Sequence, residues 1–356
     1  MFAILVGLIL FGYTTAYVAS EDVRYLTRAG IEETRILQGR RSIADMVADR
    51  MTTPEVKASL SLVLQARDFA AALGLEAKET YTTYSDVGRD TLLLVLSASP
   101  KNCLCAYLWK YPIVGRIPYK GFFDPRQAQK AADKLERQGY DVYLRPSGAF
   151  STLGWFNDPL LSTAISRDSM ELVATVLHEI AHNTLYVKSA TPFNEGFAQM
   201  VGYYGAEAFF RLRGDTATAD RAANRWHDEV VLSGYYAELG RQLDSAYAGT
   251  KDTAVVEVSR KAVAAWARSQ LEGPIGAQLK TYRIGRLTER PINNAQIIAA
   301  RIYRTRLELF ESWYQQHQER VDSAVAALGQ LVNGVPGDSV YTVLARSTND
   351  SAATAH

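Results

Sequence analysis

Met170 to Val187 reads MELVATVLHEIAHNTLYV, and the fold is decided by how this stretch is read. Leu172, Val173, Val176, Leu177, Ile180, Ala181 and Leu185 recur at three- and four-residue spacing, the pattern of a helix with one buried face. The same helix carries His178-Glu179-x-x-His182. Positions four apart stand ~40° apart round a helix and one turn along it, so both imidazoles converge on a single ion. Two neutral imidazoles with bonds of ~2.0–2.1 Å suit Zn²⁺. Glu179 lies ~100° round from His178, off the ligand line but within reach of a water at the ion, the place of a catalytic base. With five His in 356 residues, roughly 0.004 such matches are expected by chance. The plain alternative is a pair of core histidines with an incidental Glu.

A third ligand is needed, and after twelve intervening residues His182 is followed by Glu195, inside Thr191-Pro192-Phe193-Asn194-Glu195-Gly196-Phe197-Ala198. Thr191 fits an N-cap and Pro192 the first helical position, so a second helix is expected here with Glu195 in its first turn. Two nearly antiparallel helices then offer a His₂Glu set that leaves one position open, the catalytic rather than the closed structural arrangement. An exposed first-turn Glu favoured by the helix dipole is the alternative for Glu195.

The rest of the chain surrounds these helices. Helical periodicity covers Val23 to about Gly39, Pro54 to Leu73, Pro125 to Gln138, and then 217–249, 252–272, 291–317 and 319–332. Strands are expected at Thr91–Ser97, Leu104–Trp109, Arg116–Tyr119 and Tyr140–Leu144. The resulting class is α+β, mostly helical, with a small sheet and a helical C-terminal region. Its expected parts are an N-terminal α/β part (21–150), the metal helices (151–215), a helical part (216–335) and a disordered tail (336–356). Between Lys280 and Arg306, seven basic residues face one acidic residue, Glu289. Solvated helix faces explain such a run, and a pocket for a substrate carboxylate or an anionic polymer is the sharper reading.

Composition excludes several classes. A hydrophobic content of 47% with 10% aromatics rules out disorder. Two cysteines rule out a disulfide scaffold. A net charge of +1 gives no reason to expect nucleic acid as a partner. Residues 1–20 begin with the uncharged run Phe2–Gly12, which reads as the apolar core of a secretory signal or as a membrane anchor. Either would place the remainder outside the cytoplasm, touching a membrane only through that segment. Cys103 and Cys105, taken as strand residues, point to one face too far apart for a relaxed bridge, so no disulfide is expected. Nothing in the sequence sets an oligomeric state.

His178-Glu179-x-x-His182 followed by Asn194-Glu195-Gly196-Phe197-Ala198 resembles the gluzincin metallopeptidases, in which a longer gap separates the two motifs. A closer resemblance is to a bacterial family of predicted zinc aminopeptidases, mostly envelope lipoproteins. It is carried by Gly139–Tyr143, Ala149–Pro159, Tyr119-Lys-Gly-Phe-Phe123 and Asn293-Asn294-Ala295, and covers about residues 24 to 332. The lipobox cysteine usual there is absent, and Lys110 and Arg116 stand where cysteines are common. The resemblance implies a zincin-like fold and Zn²⁺-dependent hydrolysis of a peptide substrate.

In related aminopeptidases a strand before the metal helix pairs with the substrate backbone, and its Glu binds the free amino terminus. Gly148-Ala149-Phe150-Ser151 has a similar offset, with Phe150 twenty-eight residues before His178. That implies an edge strand for an extended peptide. Ser151 stands at the position of the Glu, so the residue that separates an aminopeptidase from an endopeptidase is missing there, and another acid, such as Asp158 or Asp124, could take its place from a different direction. An oxyanion donor is also required, and Tyr119 and Tyr203 are the candidates. Glu171, two turns before His178, either orients an imidazole or starts a solvated helix. His227 and His317 read as structural. The expected function is peptide hydrolysis by His178, His182, Glu195 and Glu179. A non-catalytic envelope binding protein, or an endopeptidase or amidase with the same site, is the alternative.

Overall fold

The chain folds as an α+β protein dominated by helices in a computed structural model, which describes residues 2–111, 115–147, 159–248, 252–288 and 292–353. The N-terminal part contains α1 (Phe2–Ala19), α2 (Glu21–Gln38), β1 (Arg41–Ser42), α3 (Ile43–Ala48) and α4 (Pro54–Ala72). Next come β2 (Thr83–Ser85), β3 (Leu93–Pro100), β4 (Trp109–Tyr111), β5 (Gly115–Ile117), β6 (Lys120–Phe122), α5 (Pro125–Arg137), β7 (Tyr140–Ser147) and β8 (Leu160–Leu161). The central helices are α6 (Ser169–Thr184), α7 (Thr191–Leu212) and α8 (Thr216–Ala248). They are followed by α9 (Thr253–Glu272), α10 (Ile284–Thr288), α11 (Asn294–Tyr303), α12 (Leu307–Gln316), α13 (Val321–Leu331) and α14 (Val340–Ala353). Gly74 and Gly139 end the turns after α4 and α5 at φ of +78° and +88°, where a side chain would be strained. Among the described residues no helix is long and apolar enough to cross a membrane.

The main sheet has the order β6-β3-β7, all antiparallel, with Leu96 opposite Leu144 and Leu94 opposite Phe122. Strand alternation sorts β3 onto two faces. Leu96 and Ala98 pack with Ala128, Ala132 and Leu135 of α5. Leu93 and Val95 join Ile36 of α2 and Phe123 on the other face. A second small sheet, β1-β2-β8, ties residues 160–161 back to the N-terminal part.

The largest core forms around α6 and α7. Leu172, Val173, Val176, Leu177, Ile180 and Ala181 are all buried as their spacing predicts, whereas Leu185 is only partly covered. Residues of α3, α4, α12, α13 and α14 share this core, so the N-terminal part and the metal helices are packed together. Helices α6 and α7 approach closely at Gly202, where an added Cβ would lie 2.8 Å from the Ala174 carbonyl oxygen. At Gly196 an added Cβ would lie 2.7 Å from the Phe310 ring, so this glycine of the second motif admits α12.

Asn293 and Asn294 fasten α11 to the sheet. Asn293 caps the helix by accepting from the Gln296 N–H, and its amide donates to the Val142 carbonyl. Asn294 is fully buried, donates to the Pro100 and Cys103 carbonyls, and accepts from the Tyr247 hydroxyl. Its backbone N–H donates to Asp141, which also forms a buried 2.7 Å ion pair with Arg260 of α9.

Four expectations are corrected. Cys103 and Cys105 are joined by a disulfide. They lie in a loop after β3 rather than in a strand, and of the expected 104–109 strand only Trp109 is extended, as the first residue of β4. The loop is shaped by Ser99, whose hydroxyl donates to the carbonyls of both cysteines, so strand geometry does not apply. Of the expected tail 336–356, the described residues 336–353 are not loose, since α14 buries Val340 and Leu344 completely and Tyr341 donates to the Thr305 carbonyl. Its polar last residues hide the four-residue spacing of Val340, Leu344 and Thr348. Helix 291–317 is broken between α11 and α12, where Arg306 adopts φ +55°. Tertiary partners fix that break, with Gln199 donating to the Tyr303 carbonyl and the Leu307 N–H donating to Ser233. Finally, α7 starts one residue early, with Ala190 at the cap and Thr191 already helical, so Glu195 opens the second turn.

Candidate functional site

Helix α6 is started by Asp168, whose carboxylate accepts from the Met170 N–H and pairs with Arg221. Two turns on, the helix presents His178 and His182 toward α7, with Glu179 one step round. The loop from α6 to α7 is closed by Asn194, which is 1% exposed. Its side chain accepts from the Val187 N–H and donates to the Val187 carbonyl, both at 2.9 Å. This clamp holds the first turn of α7 against the end of α6 and aims the next residue, Glu195, at the histidines.

Three ligand atoms converge. The Nε2 atoms of His178 and His182 are 3.2 Å apart, with the rings edge-on at 87°. Glu195 places one oxygen 3.4 Å from His178 Nε2 and the other 3.9 Å from His182 Nε2. Four ligands at ~2.05 Å in a tetrahedron stand ~3.3 Å from one another, so these spacings fit one zinc-sized ion. Burial and the neighbouring His178 bring the His182 pKa down to about 4, despite the opposing Glu195 charge. The ring is therefore held neutral, the form that ligates metal. His182 Nδ1 is buried without a hydrogen-bond partner among the described residues, so packing rather than an acceptor orients this ring.

His178 lines a cavity of about 420 Å³. One wall is a face of α6, Glu171, Ala174, Thr175, His178 and Glu179, and the others come from α7, α8, Tyr282 and the end of α11. Tyr303, at the break after α11, lines it next to the metal residues. Loss of solvation, and then the Glu195 and Glu179 carboxylates, push its phenol up to about 12. At neutral pH it is a hydrogen-bond donor near the Glu195 and Glu179 carboxylates.

The two tyrosines expected as oxyanion donors stand differently towards the cavity. Tyr203 lies in the cavity but at its other end, where burial and the Glu171 and Glu229 charges raise its phenol pKa. Tyr119 is 44% exposed and outside the cavity lining, though within electrostatic reach of Tyr303. Glu171 does not orient an imidazole; it lines the cavity 3.7 Å from Arg225. Burial raises its carboxyl pKa, with Arg225 opposing. Gly148, Ala149, Phe150 and Ser151 lie outside the described residues, as does Asp158. Asp124 is occupied as the cap of α5. His227 and His317 contact the backbone carbonyls of Gln278 and Trp313, in keeping with structural roles.

Sequence reasoning missed Tyr303, Arg304, Arg225, Tyr282 and Glu229. The only hint was the basic run from Lys280 to Arg306, to which Arg304 belongs. Buried Asp228 explains how Tyr282 arrives, since it accepts from the backbone N–H groups of Lys280, Thr281 and Tyr282 and from the Thr281 hydroxyl.

No curated protein and no solved structure matches the chain. Residues 24–336 match the model of a protein family described as "Putative aminopeptidase", and with nearly its whole length inside that match the chain belongs to this family.

Proposed function

We propose that the chain is a zinc-dependent metallopeptidase with a zincin-like, gluzincin-type centre, acting as an aminopeptidase outside the cytoplasm. The observation that carries the proposal is the convergence of His178, His182 and Glu195 at spacings of 3.2 to 3.9 Å, with His178 and Glu179 on the wall of one cavity. Zn²⁺ bound there supplies Lewis-acid polarisation of the scissile carbonyl and brings the pKa of a water to ~7. Glu179 accepts the proton of the attacking water and passes it to the departing amine, the exchange a carboxylate beside the reacting atoms performs as base and then acid. Tyr303 donates its phenolic hydrogen to the oxygen that gains negative charge as the carbonyl becomes tetrahedral. Asn194 keeps the Glu195 carboxylate in place through the Val187 clamp.

The aminopeptidase assignment rests on the family. Export is supported by the apolar N-terminal segment and by the Cys103–Cys105 disulfide, since disulfides persist in oxidising compartments. Turnover of free and N-blocked peptides by wild type and Glu179→Gln tests the reading. The variant should lose ~10²–10⁴-fold in kcat while keeping its zinc. Free N-termini should be required. Cleavage of blocked peptides with equal efficiency would make the enzyme an endopeptidase, and unchanged turnover by Glu179→Gln would remove the mechanism.

A further inference from the structure

The cavity has a second end that the hydrolytic chemistry does not use. Arg225 of α8 and Arg304, just after α11, line it together with Tyr203, Tyr282, Glu171 and Glu229. Glu229, 3% exposed, is fully committed: it accepts from the Tyr282 hydroxyl and pairs with Arg304 at 2.7 Å. Arg225 is held differently. Its guanidinium lies over the Tyr282 ring at 4.0 Å, with Tyr203 lining the same end of the cavity. Its nearest carboxylates, on Glu229 and Glu171, are 3.6 and 3.7 Å from Nε, and that buried Nε has no hydrogen-bond partner. Two guanidinium groups thus face two carboxylates, of which only that of Glu229 is closely engaged, and by Arg304. A guanidinium lying over an aromatic ring retains N–H donors for a carboxylate, which arginine binds in a fork.

The distance from the metal residues sets a length. Glu171 precedes His178 by seven residues on α6, which is ~10.5 Å of helix. An extended peptide advances ~3.3 Å per residue, so about three residues bridge the two ends. On the metallopeptidase reading, on which this inference rests, we propose that Arg225, backed by Arg304, is a carboxylate subsite selecting short peptides whose carboxylate lies about three residues along from the amino terminus. That carboxylate is the C-terminus of a tripeptide or an acidic side chain at the same position.

Binding tests this separately from turnover. The full-length Glu179→Gln variant is titrated calorimetrically with trialanine, trialanine amide and Ala-Ala-Glu-amide. Trialanine should bind about tenfold or more tighter than its amide, the size of a charge-assisted contact. Recovery of affinity by Ala-Ala-Glu-amide identifies a side chain as an accepted source, and no recovery identifies the C-terminus alone. Adding Arg225→Gln should bring the acid-to-amide ratio close to one, and Arg225→Lys should restore part of it, with thermal melting showing that both variants fold. Equal affinities for acid and amide, or no binding of either, overturn the subsite. Wild-type hydrolysis of peptides in the same preparations reports on the metallopeptidase reading by itself: hydrolysis without acid preference removes only the subsite, and acid-selective binding without hydrolysis removes only the enzyme.

Discussion

Replacing Gly202 by Ala tests whether the close crossing of α6 and α7 sets the metal geometry. A Cβ there would stand 2.8 Å from the Ala174 carbonyl oxygen and 3.3 Å from His178 Cβ. Both contacts are with rigid parts of α6, so the helices must separate by roughly 0.5 Å to regain ordinary contact. Overpacking of this kind costs ~1–3 kcal/mol. Ala also favours a helix over Gly by ~1 kcal/mol, which has to be removed from the comparison. Gly234, in α8, provides that control, because nothing lies within 4 Å of an added Cβ. Gly234→Ala should stabilise, and Gly202→Ala should fall ~1–3 kcal/mol below it in urea unfolding. The protein is stripped of metal first, so that weaker zinc binding does not add to the packing cost. Because His178 sits on the displaced face while Glu195 moves with α7, zinc affinity measured by chelator competition should fall about tenfold or more. Equal stability of the two variants with unchanged zinc affinity would refute the argument.

Three further outcomes are expected. Asn194→Ala leaves the Val187 N–H and carbonyl without their buried partner, so unfolding should become easier by ~2–4 kcal/mol, with zinc binding weakened in parallel. Tyr303→Phe should lower kcat by ~10²–10³ with zinc content unchanged, as expected for loss of one oxyanion donor. Arg260→Leu strands the buried Asp141 carboxylate and should cost ~3–5 kcal/mol by chemical denaturation, whereas the double variant Arg260→Leu/Asp141→Leu should recover much of that loss.

What could be read from the sequence was what local periodicity and covalent spacing determine. Leu172 through Ala181 mark the buried face of α6, and His178 and His182 share the opposite side because four residues make about one turn. Pro54, Gly74, Pro125 and Gly139 bound their helices because ring closure and positive φ act on single residues. The start of α7 was misplaced by one position because the loop is set by Asn194 reaching back to Val187, a contact that outweighs the preference of Thr191 for a cap. The break at Tyr303–Arg306 has no Gly or Pro to announce it; Gln199 and Ser233, both more than seventy residues earlier, hold it open. The same holds for the cavity wall. Arg225, Tyr282, Tyr303 and Arg304 meet only because α8, α11 and the segment anchored by Asp228 pack around α6 and α7, and no local pattern encodes that meeting. The cysteine bridge was missed for a related reason, since Ser99 and Asn294 bend residues 103–105 into a loop that strand alternation does not describe.

The most direct test is zinc content with X-ray absorption at the zinc edge on purified protein. One zinc per chain is predicted, with two imidazole nitrogens and a carboxylate oxygen at ~2.0–2.2 Å. His182→Ala and Glu195→Gln should lose the metal, while Glu179→Gln keeps it and is inactive. Full zinc occupancy in the His182 and Glu195 variants, or peptide hydrolysis by wild type with no metal bound, would contradict the account.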